Sequence, residues 1–426
     1  MNWGMTIRLL ACCLLSAALA LPAQAEPEPL KILINKALER NPELQSLRLQ
    51  AQSAMLSARA AGALPDPQLS LGVMNLPHSS LSLDESPMSS IKLGVSQVIP
   101  WPGKLSGRSQ VADLQARMTQ QSVEQAANRI RREVTSRYYD YAFWTEGTKV
   151  LEENLVLTEA LIEVTRTRWA NGEAAMQEVL RSQNARDRLL NRMRMFEQSA
   201  KTALLELQRL TNDTATAIAA DNIGLRAIEA DTTLTNVTAV QHNPALLQAD
   251  LGLQKAQASH RLAKSDYWPN IMLGIDYSFR RDIPMDPVGG EDFLSFHVGV
   301  SLPLWFFNSQ RHRSAAAEVA VASSRSYQRA VQIRLDQHLR DIRQTQESLA
   351  ENITRYNTAI LPQSKAAFES AQAAWQVGQI DFDALLATQF EWLHAQLERL
   401  ELLRNYYHKL AELNEVLGHD HTGNSL

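Results

Sequence analysis

Few residues of this chain have the type and spacing to do chemistry, and each group stops short of a reaction centre. His419-Asp420-His421 sets two imidazoles beside a carboxylate, donors that suit a divalent ion, but in a short C-terminal tail. Cys12 and Cys13 are the only cysteines and are adjacent, which excludes a disulfide framework and a thiolate metal cluster. Gly103-Lys104 runs into Leu105 and lacks the upstream glycine of a phosphate-binding loop. Neither H-E-x-x-H nor G-x-S-x-G occurs. The chain therefore reads as a non-enzyme, with no cofactor and no resident metal. Met74, Met272 and His297 would suit soft cations, yet they sit at different places along their segments and predict no common site. Glu178, Asp381 and Asp383 follow two glycine stops, Gly172 and Gly378, where negative charge at a helix start is favourable in itself.

Composition narrows what must position these residues. Lys+Arg 42 against Asp+Glu 46 leaves a net charge of −4, without the basic excess of a nucleic-acid binder. Hydrophobic residues at 45% can fill a core, while aromatics at 6% and abundant Ala, Leu, Gln, Arg and Glu favour long helices. Residues 1–25 read as a secretory signal peptide. Arg8 precedes an apolar run from Leu9 to Leu21, and Ala23-Gln24-Ala25 offers the cleavage site before Glu26. Leu9-Leu10-Ala11-Cys12 superficially matches a lipoprotein box but follows Arg8 directly, leaving no apolar stretch upstream. No later segment has the roughly 18 to 20 apolar residues of a spanning helix.

Prolines cluster between Pro65 and Pro102 and again between Pro244 and Pro303, and the proline-poor stretches between are where long helices can run. The alternation reflects a repeat. Asn41-Pro42 aligns with Asn243-Pro244, Leu44 with Leu246, Gln52 with Gln254, Arg59 with Arg261, Pro67 with Pro269 and Gly72 with Gly274. Further on, Gly94-Val95-Ser96 matches Gly299-Val300-Ser301, Trp169 and Gly172 match Trp375 and Gly378, and Gln183 matches Gln389. The expected organisation is repeat 1 over 26–212, a linker over 213–240, repeat 2 over 241–417 and a tail over 418–426.

Each repeat reads helix, strand, strand, helix, helix, so the fold is mainly α with a small β part. Amphipathic helix is predicted over Leu30–Leu64 and strands over about 67–75, 90–98, 269–280 and 293–302. Leu69, Leu71 and Val73 alternate with small or polar residues, as do Ile91, Leu93 and Val95, then Ile271 to Phe279, then Phe296 to Leu302. Such alternation over about ten residues fits transmembrane β-strands, or a hairpin on a soluble core. Four strands are too few for a membrane barrel, whose minimum is about eight, so spanning strands require several chains to share one barrel. Lys104–Ala170 predicts a helix of roughly 100 Å at 1.5 Å per residue. A stop at Asn171-Gly172 and a return over Ala174–Leu210 follow; copy two predicts Gln310–Gln376, kinked at Pro362, a stop at Gly378 and a return to Leu417.

The duplicated unit, the Asn-Pro openings, the proline-then-strand pairs and the Trp-x-x-Gly helix ends resemble the TolC family of outer-membrane efflux proteins, over about Leu30 to Leu417. The segment Gly94-Val95-Ser96-Gln97-Val98-Ile99-Pro100-Trp101-Pro102-Gly103-Lys104-Leu105 is similar to the strand-to-helix junction of the CzcC/CusC-like heavy-metal branch. The resemblance implies a homotrimer in outer-membrane lipid, with a 12-stranded shared β-barrel above a helical tunnel crossing the periplasm. It implies a periplasmic adaptor and an inner-membrane RND-type pump as partners, and heavy-metal cations as substrate, with an outer-membrane duct for drugs or type I secretion as the alternative. It also implies a periplasmic gate. Asp383 stands at the family's first gate position, the second reads Leu386, and Asp381 and Glu178 are further acidic tip residues. One polar constriction backed by an apolar one is the expected arrangement. A periplasmic adaptor would instead show one helical hairpin between β-rich halves, and a coiled-coil filament would show heptads without strands.

Overall fold

The computed structural model describes residues 28–216, 237–284 and 289–418. The signal peptide, most of the linker and His419-Asp420-His421 lie outside the described residues. The elements run α1 (Glu28–Arg40), α2 (Pro42–Ala61), β1 (Gln68–Met74), β2 (Ser90–Ile99), α3 (Lys104–Ala170) and α4 (Met176–Thr211). After a 3₁₀ turn at Val237–His242 come α5 (Pro244–Ser265), β3 (Ile271–Arg280), β4 (Phe293–Val300), α6 (Gln310–Arg355), a π-turn at Tyr356–Ile360, α7 (Leu361–Gln376) and α8 (Phe382–Leu417). The chain divides into two compact units, one formed by Met1–Gln45, Ala126–Asn243 and Leu335–Leu426, the other by Ser46–Gln125 and Pro244–Arg334.

In the first unit, the expected helix over Leu30–Leu64 is two helices, because Asn41 and Pro42 interrupt it. Pro42 has no N–H to continue α1 and opens α2 instead. The Asn41 Oδ1 accepts from the backbone N–H of Glu43 (3.0 Å) and Leu44 (3.2 Å), capping α2, while its Nδ2 donates to Leu210 O at 3.1 Å. Asn243 makes the matching tie, its Nδ2 donating to Val416 O at 2.7 Å. Within the first unit, each of these asparagines thus holds the far end of a returning helix, α4 or α8. Pro362 acts through its missing N–H, and the helix passes through the π-turn at Tyr356–Ile360 just before it. The core of this unit holds Phe143, Leu151, Leu189, Phe196, Leu393, Leu397 and Leu400, with a second cluster around Trp375.

The second unit contains a four-stranded antiparallel sheet in the order β1-β2-β3-β4. Its register places Leu71 opposite Leu93 and Leu93 opposite Tyr277, and Val95 opposite Ile275 and Ile275 opposite Phe296. Since side chains alternate along a strand, one sheet face is almost wholly apolar, and it is exposed: Leu71 is 75% accessible, as is Phe296. Gln97 interrupts that face near the helical end, its amide donating to Pro65 O (2.8 Å) and Val98 O (2.9 Å). β1 and β4 each pair on one side only. At the strand-to-helix junction Trp101 stacks on Trp268 with centroids 5.0 Å apart. The buried Lys104 ammonium donates to Trp268 O (2.6 Å) and Asn270 Oδ1 (2.9 Å). No helix among the described residues is long and apolar enough to cross a membrane.

Candidate functional site

The hairpin ends of the first unit are built by one backbone device used twice. Gly172 has φ +76° and Gly378 φ +74°, the left-handed conformation that glycine adopts without strain. In the first, Gly172 N donates to Trp169 O (3.0 Å) and Glu173 N to Arg168 O (2.8 Å); in the second, Gly378 N donates to Trp375 O (3.0 Å) and Gln379 N to Ala374 O (2.9 Å). These are paired Schellman closures that satisfy the last carbonyls of α3 and α7. A methyl group at either glycine would meet nothing, so backbone angle rather than space selects the residue.

The acidic candidates stand where α4 and α8 begin. Asp381 is the N-cap of α8 in extended conformation, but its side chain makes no capping hydrogen bond. Asp383 lies in the first turn of α8 and forms an ion pair with Arg181 of α4. With its amide O and N assigned so that both are satisfied, Gln177, one turn earlier, accepts from Arg181 Nε (3.2 Å) and Nη2 (2.6 Å). Glu178, in the first turn of α4, is half-buried. Arg181 went unnoticed in the sequence, because an arginine among the many on α4 carries no local mark of its partner on α8.

Leu386 is buried within its own chain. It is 8% exposed and packs with Leu161, Ala185, Phe368, Trp375, Phe382 and Leu385 in the core of the single chain. Its side chain is committed to packing within its own chain. Adjacent leucines at 385 and 386 are both buried because α8 is covered on more than one face.

Deeper in the same unit Asp140 meets His408 Nε2 (3.1 Å) and Arg137 Nη1 (3.0 Å), with Arg404 at 4.0 Å. Burial opposes its charge, but the hydrogen bond from His408 and the charges of His408, Arg137 and Arg404 outweigh burial and hold its carboxyl below the ordinary range. A depressed carboxyl stabilises the fold above its unfolded pKa, and that contribution fades as pH falls through the folded one. The melting temperature of the wild type should therefore drop more steeply than that of Asp140→Asn below about pH 4. Parallel curves in differential scanning calorimetry would exclude this role.

In the second unit, Met272 and His297 lie on the polar face of the sheet, Met272 against Gly299, and Met74 is at the far end opposite Ser90. Among the described residues there is no group of three or more His, Cys, Asp or Glu side chains able to hold a metal ion. Beside His297, unremarked in the sequence, stand Asp276 and Lys92, with His297 Nδ1 2.9 Å and Lys92 Nζ 2.8 Å from the same Asp276 carboxylate oxygen.

Solved structures share this fold along almost the whole chain. CusC, described in connection with transmembrane channel formation, is 16% identical, with 93% of each chain covered and a TM-score of 0.78. The Neisseria gonorrhoeae MtrE outer membrane channel in its open state is 16% identical over 93% of this chain and 90% of that one, with a TM-score of 0.77. VceC, an outer membrane protein of Vibrio cholerae, is 16% identical over 92% and 96%, with a TM-score of 0.76. At such identities the likeness is one of fold. No curated protein matches the chain. Sequence supplies the family: the model for outer membrane efflux proteins matches residues 33–213 and 237–419, most of the chain and both of its long helical hairpins. The chain is a member of the outer membrane efflux protein family.

Proposed function

We propose that the protein is the outer-membrane exit duct of a tripartite efflux system, passively conducting what an inner-membrane RND-type pump exports through a periplasmic adaptor. Heavy-metal cations are the proposed substrate, on the likeness of the Gly94–Leu105 junction to the CzcC/CusC-like branch. The single observation that carries the duct reading is the sheet. Four strands with two unpaired edges and an exposed apolar face have no stable place in water or, alone, in lipid. Three copies of the four strands, β4 of each pairing with β1 of the next, would close a 12-stranded barrel and remove every edge. In this reading 26–212 and 241–417 are tandem copies of one unit, joined by a linker over 213–240, and the helical hairpins form the periplasmic tunnel. The protein should stay with outer membranes through a high-salt wash and run as a trimer in detergent by multi-angle light scattering. A stable monomer would defeat the shared barrel.

The acidic tip is the proposed gate, with Asp383 central and Asp381 and Glu178 beside it. Asp383 is held by Arg181 of its own chain, so each protomer presents a compensated pair rather than a bare carboxylate. An exposed pair of this kind adds little stability, which suits a contact that must open. In planar bilayers Asp383→Asn should lower the cation/anion permeability ratio, since it removes a carboxylate and uncovers a guanidinium. An unchanged ratio in assembled trimers would reduce Asp383 to a helix-start charge.

Growth of a deletion strain across metals and drugs tests the substrate. Sensitivity to drugs alone would remove the metal assignment and leave the duct.

A further inference from the structure

The polar face of the sheet carries a charged cluster that the exit-duct reading leaves unused. Asp276, in mid-β3, is only 4% exposed although its strand stands in a thin sheet with few other buried side chains. The side chains that cover it come from both neighbouring strands. Lys92 of β2 reaches it from one side and His297 of β4 from the other, both to the same carboxylate oxygen. The backbone is cut away to allow this. A methyl group at Gly94 would strike the Asp276 carboxylate and the Ser70 hydroxyl, and one at Gly274 would strike the His297 ring. Gly94 is paired with Asp276, and Gly274 with His297, across the ladder. Two strand-interior glycines, each a cost to a β-strand, are thus explained by one side-chain cluster. Other charge on this face is distant or occupied: Arg280, at the loop end of β3, donates through Nε to Pro87 O at 2.8 Å.

We propose that Lys92, Asp276 and His297 form a charge-compensated site that keeps the membrane part of the duct from discriminating between ions, in which Lys92 masks the Asp276 carboxylate from the lumen. The proposal rests on the shared-barrel reading, which turns the polar face inward and repeats the cluster three times. The masking follows from exposure: the Lys92 side chain is 33% and that of His297 41% exposed, against 6% for Asp276. A passing ion meets an ammonium and an imidazole edge, with the carboxylate beneath them. The near-cancelling pair keeps the local field weak, so the wider duct neither traps cations nor repels them, as conduction requires. Rings of charged side chains set selectivity in pores, and here removal of either partner would create one.

The test is the cation/anion permeability ratio of assembled trimers in planar bilayers, from reversal potentials under a potassium chloride gradient. Lys92→Gln uncovers three carboxylates and should raise the ratio severalfold. Asp276→Asn uncovers three ammonium groups and should lower it severalfold. The double variant should return close to wild type, and His297→Gln, which can still donate to Asp276, should shift least. Two single variants that leave the ratio unchanged, or move it in the same direction, would overturn the proposal. A wild-type protein that forms neither trimers nor channels would instead remove the duct reading beneath it.

Discussion

Leu71→Arg should abolish recovery of the assembled trimer from outer membranes, whereas Ser70→Asn, one residue away, should assemble as wild type does. Leu71 lies in the middle of β1 on the exposed apolar face, level with Leu93 and Tyr277 across the sheet. If that face meets lipid, an arginine there costs about 2–4 kcal/mol near the bilayer midplane. The cost is incurred in every protomer, so a trimer carries it three times. Leu273→Arg should be less severe, because Leu273 is the third residue of β3, near the helical end and opposite Gln97, where the face already admits a polar side chain. Ser70 faces the other way, opposite Gly94, on the polar face of the sheet. Outer-membrane fractions run unheated on gels give the readout. Equal trimer recovery for Leu71→Arg and Ser70→Asn would show that the apolar face does not meet lipid.

The strands were legible because apolar alternation gives away a two-residue period, and the register places the anticipated apolar residues on one face. The helix from Lys104 to Ala170 was legible for the opposite reason, a long absence of proline followed by a glycine stop. What stayed hidden depends on contacts between residues far apart in the chain. Nothing local marks Lys92 and Asp276 as partners, nor Arg181 and Asp383. Asn41-Pro42 was recognised as a repeated sign but not as a helix break, since its meaning lies in the Leu210 carbonyl that Asn41 holds. The burial of Leu386 was hidden because a family position says where a residue stands along a helix and leaves open which neighbour covers it. Nothing local shows that the space above Gly274 is filled by the His297 ring.

The two tip tryptophans make the same point as an expected result. Trp169 and Trp375 occupy matching places, each three residues before a turn glycine, yet Trp169 is 48% exposed and Trp375 only 3%. Trp375 packs its ring 5.6 Å from Phe382, the first residue of α8, and Arg168 lies 5.0 Å over its face while donating to its carbonyl. Truncating a buried tryptophan costs about 3–5 kcal/mol, while an exposed one away from special features stays within about 0.5 kcal/mol. Trp375→Ala should therefore lower the melting temperature and speed amide exchange over α7 and the start of α8, with Trp169→Ala close to wild type. The consequence reaches the proposed gate through one residue, because Phe382 adjoins Asp383. With Phe382 unsupported, the Asp383–Arg181 pair loses its fixed geometry, and single-channel conductance should rise in Trp375→Ala but not in Trp169→Ala. Equal destabilisation by the two substitutions would mean that the hairpin ends are packed alike. Destabilisation without a change in conductance would separate the core at Trp375 from the proposed gate.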